Sequence, residues 1–448
     1  MGKRKKTGQA ISLAAHIFFF GVIIMVLLVR YAFVEHKPTF PPLPESFDLI
    51  VIGDGPAGDL AAIVAAEKGA HVLYMHTSEP EADTPGVYLP VFWAADTGYQ
   101  RVAGIEYLPE TMANEIYTSG ESSGSYRQIL AFSLASAESL RYLTELTGQQ
   151  FLRLDPERPG LHWGEQESMI KISSRLAGQV EALDLIEKTG LQPQSLVTEN
   201  SRVVGLTAVD PTGREEIIYT RAVILADGGY GSNQELLQKY SGLQGIMKRP
   251  EAGHLGVGLQ LAQKIGARTI SLEQVQVETI AIGTKRYLEL SPEILAAAFI
   301  FGEKGRPLTW EENESLTELL KQNGGRVYLL FTTDYPELIP FKPTVVEDLE
   351  LLASALQTTV FELEEHLAGA PPPYYLLSAG LVALTPGGLA VNENYQVLGV
   401  VEPISGLYAC GELTGGLHGR AAISELFFTE TIVSSRLAGE NAAAYALR

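Results

Sequence analysis

Residues 48–76 read Asp-Leu-Ile-Val-Ile-Gly-Asp-Gly-Pro-Ala-Gly-Asp-Leu-Ala-Ala-Ile-Val-Ala-Ala-Glu-Lys-Gly-Ala-His-Val-Leu-Tyr-Met-His, and few other patterns limit a fold so tightly. A short apolar run, Leu49 to Ile52, predicts a buried strand that ends at Gly53. An alanine-rich stretch after Gly58 predicts a helix, and His71 to Met75 a second buried strand. Gly53 permits the tight turn, Gly55 lets the backbone approach a pyrophosphate, and Gly58 lets helix and strand pack closely. Pro56 and Ala57 open the helix, whose first N–H groups and positive dipole end face the phosphates. The context of strand, turn, helix and strand predicts a Rossmann-type dinucleotide unit.

The fingerprint expects an acid about 20 residues on, at the end of the second strand, to hold the ribose. Here the stretch is Tyr74-Met75-His76-Thr77, and the nearest acid is Glu79. His76 is the ribose-binding candidate in its place.

At 448 residues, with 46% hydrophobic and 19% charged residues, the chain has a globular composition. A single cysteine, Cys410, excludes an intrachain disulfide, a thiolate metal cluster and C-x-x-C-H haem attachment. The eight histidines are scattered without ligand spacing, so no metal site is predicted.

Ala10 to Val29 is an apolar run of about 20 residues, long enough to cross a bilayer as a helix. Lys3, Arg4, Lys5 and Lys6 precede it, against Arg30 and Lys37 after it. The heavier basic flank predicts a cytoplasmic N-terminus and an extracytoplasmic body. No small-x-small cleavage site follows, so residues 10–34 read as an uncleaved signal anchor at the cell membrane. The expected organisation is a basic cytoplasmic segment at 1–9, the anchor at 10–34 and a proline-rich tether at 35–46. Beyond residue 46, 27 basic residues face 51 acids, a net charge of −24 that disfavours nucleic acid and anionic lipid.

Along the body, helices are predicted at Tyr126 to Thr147 and Ser168 to Lys188, and a hairpin around Pro211-Thr212-Gly213. Ala222 to Ala226 reads as a buried strand that runs into Asp227-Gly228-Gly229-Tyr230. Residues 246–370 change character, with helices at Leu255 to Gly266 and Val346 to Leu367 and a strand at Arg326 to Thr332. The fold class expected is α/β: a nucleotide domain built from 47–245 and 371–448, an inserted α+β cap at 246–370, and ligands in the cleft between them.

Three separated stretches match one family. The glycine turn, Ile224 to Tyr230, and Gly406-Leu407-Tyr408-Ala409-Cys410-Gly411-Glu412-Leu413-Thr414-Gly415-Gly416-Leu417-His418-Gly419 together resemble the fumarate reductase/succinate dehydrogenase flavoprotein family. The flavocytochrome-type fumarate reductases and 3-ketosteroid dehydrogenases are nearest in layout. The resemblance implies an FAD site formed by Gly53, Gly55, Pro56, Ala57, Gly58, His76, Val197, Ala226, Asp227, Gly228, Gly411, Glu412, Ser424 and Leu426. It assigns Glu412 to the ribityl hydroxyls, and it aims the helix that begins at Ser424 at the flavin's pyrimidine edge.

The catalytic positions depart from the family. Gln276-Val277-Glu278-Thr279 stands where Q-x-H-P-T is usual, and Ala383 to Gly388 where H-H-T-M-G-G is usual. Ser315 falls where the family keeps its proton-donating arginine. Ala421 to Leu426 replaces N-R-L-G-G-N, and Pro90 to Trp93 replaces flavin-facing glycines. A dicarboxylate needs fixed cationic donors, and Arg420, Lys285 and Arg286 are what the chain offers. Tyr375, Arg420, Glu278 and His418 are the catalytic candidates for proton exchange beside a hydride-transferring flavin. The implied activity is oxidoreduction of an activated C=C bond in a small molecule other than fumarate, with a separate electron donor or acceptor. A binding or scaffold module that has lost catalysis is the alternative.

Overall fold

The computed structural model describes residues 47–53, 55–77, 88–165, 168–183, 185–249, 253–284, 286–288, 290–311 and 314–448. The basic segment, the apolar run and the tether predicted before residue 47 lie outside these. Among the described residues, no helix is long and apolar enough to cross a membrane.

The predicted unit forms as β1 (Phe47–Gly53), α1 (Pro56–Glu67) and β2 (Val72–Met75), and β1 and β2 pair in parallel from Leu49↔Val72 to Ile52↔Met75. The sheet grows by β3 (Ile186–Lys188), which pairs in parallel with β2. The hairpin is β4 (Gln192–Glu199) against β5 (Arg202–Val209), and β5 runs antiparallel to the first half of β6 (Glu215–Ala226). The second half of β6 lies parallel to β1, with Gly53 opposite Ala226. These central strands are buried on both faces, which is why they read as unbroken apolar runs.

A second, antiparallel sheet follows along the chain. Its centre is β7 (Gln276–Ala281), β8 (Arg326–Phe331) and β9 (Tyr374–Leu384), and β9 pairs with both of the others. The chain then returns through β10 (Pro403–Ala409), parallel to β6, and closes with α2 (Phe427–Ala446). α2 packs across α1 where Gly439 leaves room: a Cβ there would stand 2.8 Å from the carbonyl of Ala61.

Three elements differ from the sequence reading. The helix at Ser168 stops at Ala182, and Ile186–Lys188 instead extends the parallel sheet. Val346 to Leu367 is two helices, Leu349–Leu356 and Val360–Leu367. Gln357 turns left-handed at φ 58°, and Thr359 with Glu362 forms a capping box that starts the second helix. The strand that the sequence places at Tyr374 to Leu377 runs on to Leu384 and pairs with β8 and β7.

Candidate active site: the glycine turn, Glu412 and the first turn of α2

Gly53 ends β1 against Ala226, whose carbonyl oxygen would lie 2.8 Å from any Cβ at this position. Gly55 caps α1 in extended conformation, with no side-chain cap and Pro56 at the first turn. A Cβ at Gly55 would meet no atom within 4 Å. Among the described residues, the helix N-terminus therefore opens onto free space, as an approaching diphosphate requires. Gly58 has the packing role assigned to it: a Cβ would stand 2.6 Å from the Tyr74 hydroxyl, which donates to Asp59 at 2.8 Å. The turn fits the diphosphate of a dinucleotide.

At the end of β2, His76 is buried and its Nε2 lies 3.0 Å from a carboxylate oxygen of Glu187. The acid missing from this strand end thus stands on β3, next door. Nothing local marks Glu187, because a three-residue strand of Ile-Glu-Lys has no apolar run.

Asp227 and Gly228 follow β6. The Asp227 carboxylate accepts from the backbone N–H of Gly258 at 2.9 Å, at the start of the helix Val257–Lys264. Gly228 is covered by the His254 ring, and a Cβ would meet its Nδ1 at 2.5 Å. Gly229 makes room for Thr385 and Glu412, the latter 3.0 Å from a Cβ placed there. Gly411 donates to Ser434 of α2 at 2.8 Å, which fixes the loop that carries Glu412. Val197 is half-buried on β4, and Ala226 closes the strand end beside Gly53.

Glu412 is where the site departs most from the expectation. Its Oε1 accepts from the backbone N–H of Thr385 at 2.9 Å and from the Thr385 hydroxyl at 3.0 Å. Its Oε2 accepts from the Tyr88 hydroxyl at 2.8 Å and from Arg249 Nη1 at 2.5 Å, with His254 Nδ1 at 3.7 Å. The Glu412 side chain is 1% exposed and that of Arg249 0%. Burial pushes the carboxyl's pKa up, but Arg249 and His254 outweigh it, with hydrogen bonds from Arg249 and Thr385, and bring it down to about 2. Glu412 is thus held in one orientation by Thr385, Tyr88 and Arg249 at the end of the loop that follows β10.

The four catalytic candidates stand on different elements. His418 is fully buried; the N–H of Ile423 donates to its Nδ1 at 3.0 Å, so the ring proton sits on Nε2, 3.2 Å from Glu430. Burial raises the Glu430 carboxyl, and His418 opposes that. Both ring nitrogens of His418 are thereby engaged inside the protein. Tyr375 is half-buried on β9, opposite Phe331 of β8. Glu278 pairs with Val382 of the same strand, so about 24 Å of strand separates the positions of Tyr375 and Glu278. Arg420 is exposed, with its backbone N–H on the carbonyl of Gly120 at 3.0 Å.

One pair does form. Gln276 donates from its amide nitrogen to Glu278 and, at 2.6 Å, to the hydroxyl of Ser424. Ser424 starts a short 3-10 turn that runs into α2, with Leu426 buried behind it. It also lines a cavity of about 730 Å³, together with Trp93, Glu115, Glu157, Arg158 and Glu425. Arg158 is the cation of this wall; it pairs with Glu425 and lies 5.0 Å over the Trp93 ring. Glu157 and Arg158 drew no notice in the sequence, since nothing local distinguishes them from surface polar residues, whereas Gln276 was noted only as the first residue of the segment that carries Glu278.

Comparison with known proteins agrees with this architecture. Residues 48–282 and 339–424 match the FAD binding domain family. A urocanate reductase of Eggerthella lenta is 28% identical, over 92% of this chain and 78% of its own. A probable fumarate reductase of Shewanella frigidimarina is 24% identical, over 90% and 76%. An NADH:acrylate oxidoreductase of Vibrio harveyi is also 24% identical, but the match spans half of that protein's length. Among solved structures, the open conformation of a flavocytochrome c3 fumarate reductase superposes with a TM-score of 0.72 at 20% identity, covering 91% of this chain and 80% of that one. With the glycine turn, the Glu412 loop and α2 all in the family's order, the chain belongs to the FAD binding domain family, among the fumarate reductase/succinate dehydrogenase flavoproteins, and FAD is its cofactor.

Proposed function

We propose that the protein is a membrane-anchored FAD-dependent oxidoreductase that reduces, or forms, an activated C=C bond in a neutral or cationic small molecule. Its relatives are named a urocanate reductase, a probable fumarate reductase and an NADH:acrylate oxidoreductase. FAD supplies the hydride chemistry when bound, and the protein supplies orientation, exclusion of water and a proton. Glu278, tethered through Gln276 to Ser424, is the proton group of this reading.

The observation that carries the substrate class is the wall of the cavity beside Ser424. Three carboxylates, Glu115, Glu157 and Glu425, outnumber Arg158, whose charge is already answered by Glu425. Such a chamber repels a dicarboxylate, which needs unpaired cationic donors. Its volume lies in the range of small-ligand pockets. Electrons come from a separate protein or carrier, since the lone cysteine cannot ligate an iron–sulfur cluster and no haem motif is present.

The test is reoxidation of the chemically reduced, FAD-loaded enzyme under anaerobic conditions. Neutral and cationic activated alkenes are expected to restore the oxidised flavin spectrum, whereas fumarate leaves it unchanged. Faster reoxidation by fumarate than by every neutral alkene would overturn the proposed substrate class.

A further inference from the structure

The geometry points to His418 as a positioning residue, which holds the peptide of Ile423 and so sets where the Ser424 hydroxyl stands in the cavity wall. The inference rests on the reading that this cavity takes the substrate, and in it His418 acts through the Ser424 turn.

Residues 419–423 carry a polar group to the cavity with no strand or helix of their own. Their near end is fixed where Gly419 turns left-handed at φ 63° and the N–H of Arg420 donates to the carbonyl of Gly120 at 3.0 Å. Their far end is Ile423, which is buried. Its carbonyl accepts from the N–H of Leu426 at 3.0 Å, the bond that closes the 3-10 turn of Ser424. Its own N–H donates to His418 Nδ1 at 3.0 Å. The Ser424 hydroxyl is thus placed from two sides. Gln276 Nε2 donates to it at 2.6 Å, and His418 holds the peptide just before it.

The ring can do this because it is itself fixed. Nε2 lies 3.2 Å from Glu430 of α2, and the ring packs on Phe427 with centroids 4.4 Å apart. A flipped ring would turn carbon toward both the Ile423 N–H and the Glu430 carboxylate. The other oxygen of Glu430 lies 3.2 Å from the Thr414 hydroxyl, which is 3.0 Å from the carbonyl of Gly411. Glu430 therefore reaches two loops at once, the one that carries Glu412 and, through His418, the one that carries Ser424. A buried N–H without an acceptor is costly, so a side chain at 418 that offers none lets the Ile423 peptide shift, and Ser424 moves with it.

Two substitutions separate the two bonds of the ring. His418→Asn keeps an acceptor near the place of Nδ1 and gives up the link to Glu430. His418→Gln keeps a donor that reaches toward Glu430 and gives up the acceptor for Ile423. Both remove the ring, so a merely structural role predicts equal losses. The measurements are amide hydrogen exchange of the full-length, FAD-loaded protein, and reoxidation of its reduced flavin by acrylamide, cinnamamide and N-methyl vinylpyridinium. His418→Gln should speed exchange at Ile423 about tenfold while the amides of β1 and β6 keep their protection. It should also raise the half-saturating concentration of the fastest of these alkenes about tenfold. His418→Asn should stay within about threefold of the natural sequence on both readouts. Nitrogen chemical shifts of histidine-labelled natural protein need no substitution, and His418 is expected as the neutral tautomer with its proton on Nε2. A proton on Nδ1, or equal effects of the two substitutions, overturns the positioning role and leaves the oxidoreductase standing. If no alkene reoxidises the natural, FAD-loaded protein, the oxidoreductase reading falls and takes this role with it.

Discussion

A carboxylate this deeply buried exists as an anion only if its charge is answered nearby. Glu412 meets that condition with Arg249 and His254, at the expense of two more buried polar side chains. Its pKa of about 2 lies below the ordinary carboxyl value of 4.5, so the sign of the linkage is fixed. The group's stabilisation is complete above pH 4.5 and is lost as the pH falls through 2, and it amounts to roughly 3 kcal/mol. Glu412→Gln should remove this segment of the acid-unfolding curve. At pH 7 the same substitution leaves Arg249 buried without its anion and should lower stability by roughly 3–5 kcal/mol. Denaturant midpoints of both proteins between pH 7 and pH 2 check this; parallel curves would show that the ion pair does not hold the site together. Sequence alone identified Glu412 but not its partners. Arg249 lies 163 residues away and Tyr88 324 away, and neither sits in a motif. His418 was legible as a member of the motif, yet the bond from Ile423 and the contact with Glu430 that occupy its ring are tertiary facts.

At the level of elements, the strand–turn–helix start was readable because each step has a local cause: an apolar run, glycines at turn positions, and proline at the first helical turn. The cap was read less well. A Thr-x-x-Glu capping box at Thr359 and Glu362 was present in the sequence and would have split the long helix correctly. The Ile186–Lys188 strand had no such mark, and only its pairing with β2 defines it. The two glycines around α1 separate folding from binding. Gly58→Ala drives a methyl into the locked Tyr74 hydroxyl and should destabilise the protein by about 1–3 kcal/mol. Gly55→Ala meets no atom of the described residues, and its backbone is extended at φ −171°, so melting should be unaffected. That methyl would nonetheless occupy the space through which the diphosphate approaches the helix N–H groups, and FAD affinity should fall tenfold or more, about 1.4 kcal/mol. Thermal melting and FAD titration of the pair check this. If Gly55→Ala binds FAD as well as the natural sequence does, the dinucleotide does not lie on this turn.

At the scale of the whole molecule, charge and hydropathy divide the sequence into an apolar start with basic flanks and a strongly acidic body. The body beyond residue 46 carries a net charge of −24, and an anionic lipid surface repels it. The proposed attachment to the bilayer therefore rests on the Ala10–Val29 run. Its 20 residues as a helix span about 30 Å, the thickness of the hydrocarbon core. Four basic residues before the run and two after it favour an N-terminus retained in the cytoplasm, so a reporter fused to Arg448 should be protected only behind the membrane. The full-length protein should stay with membranes through alkaline carbonate washing and be released by detergent. A chain that begins at Phe47 should remain in the supernatant even with vesicles rich in anionic lipid, because nothing in its charge draws it there. Retention of that truncated chain on vesicles would place the attachment on the folded body. Release of the full-length chain by carbonate alone would show that the apolar run does not span the bilayer.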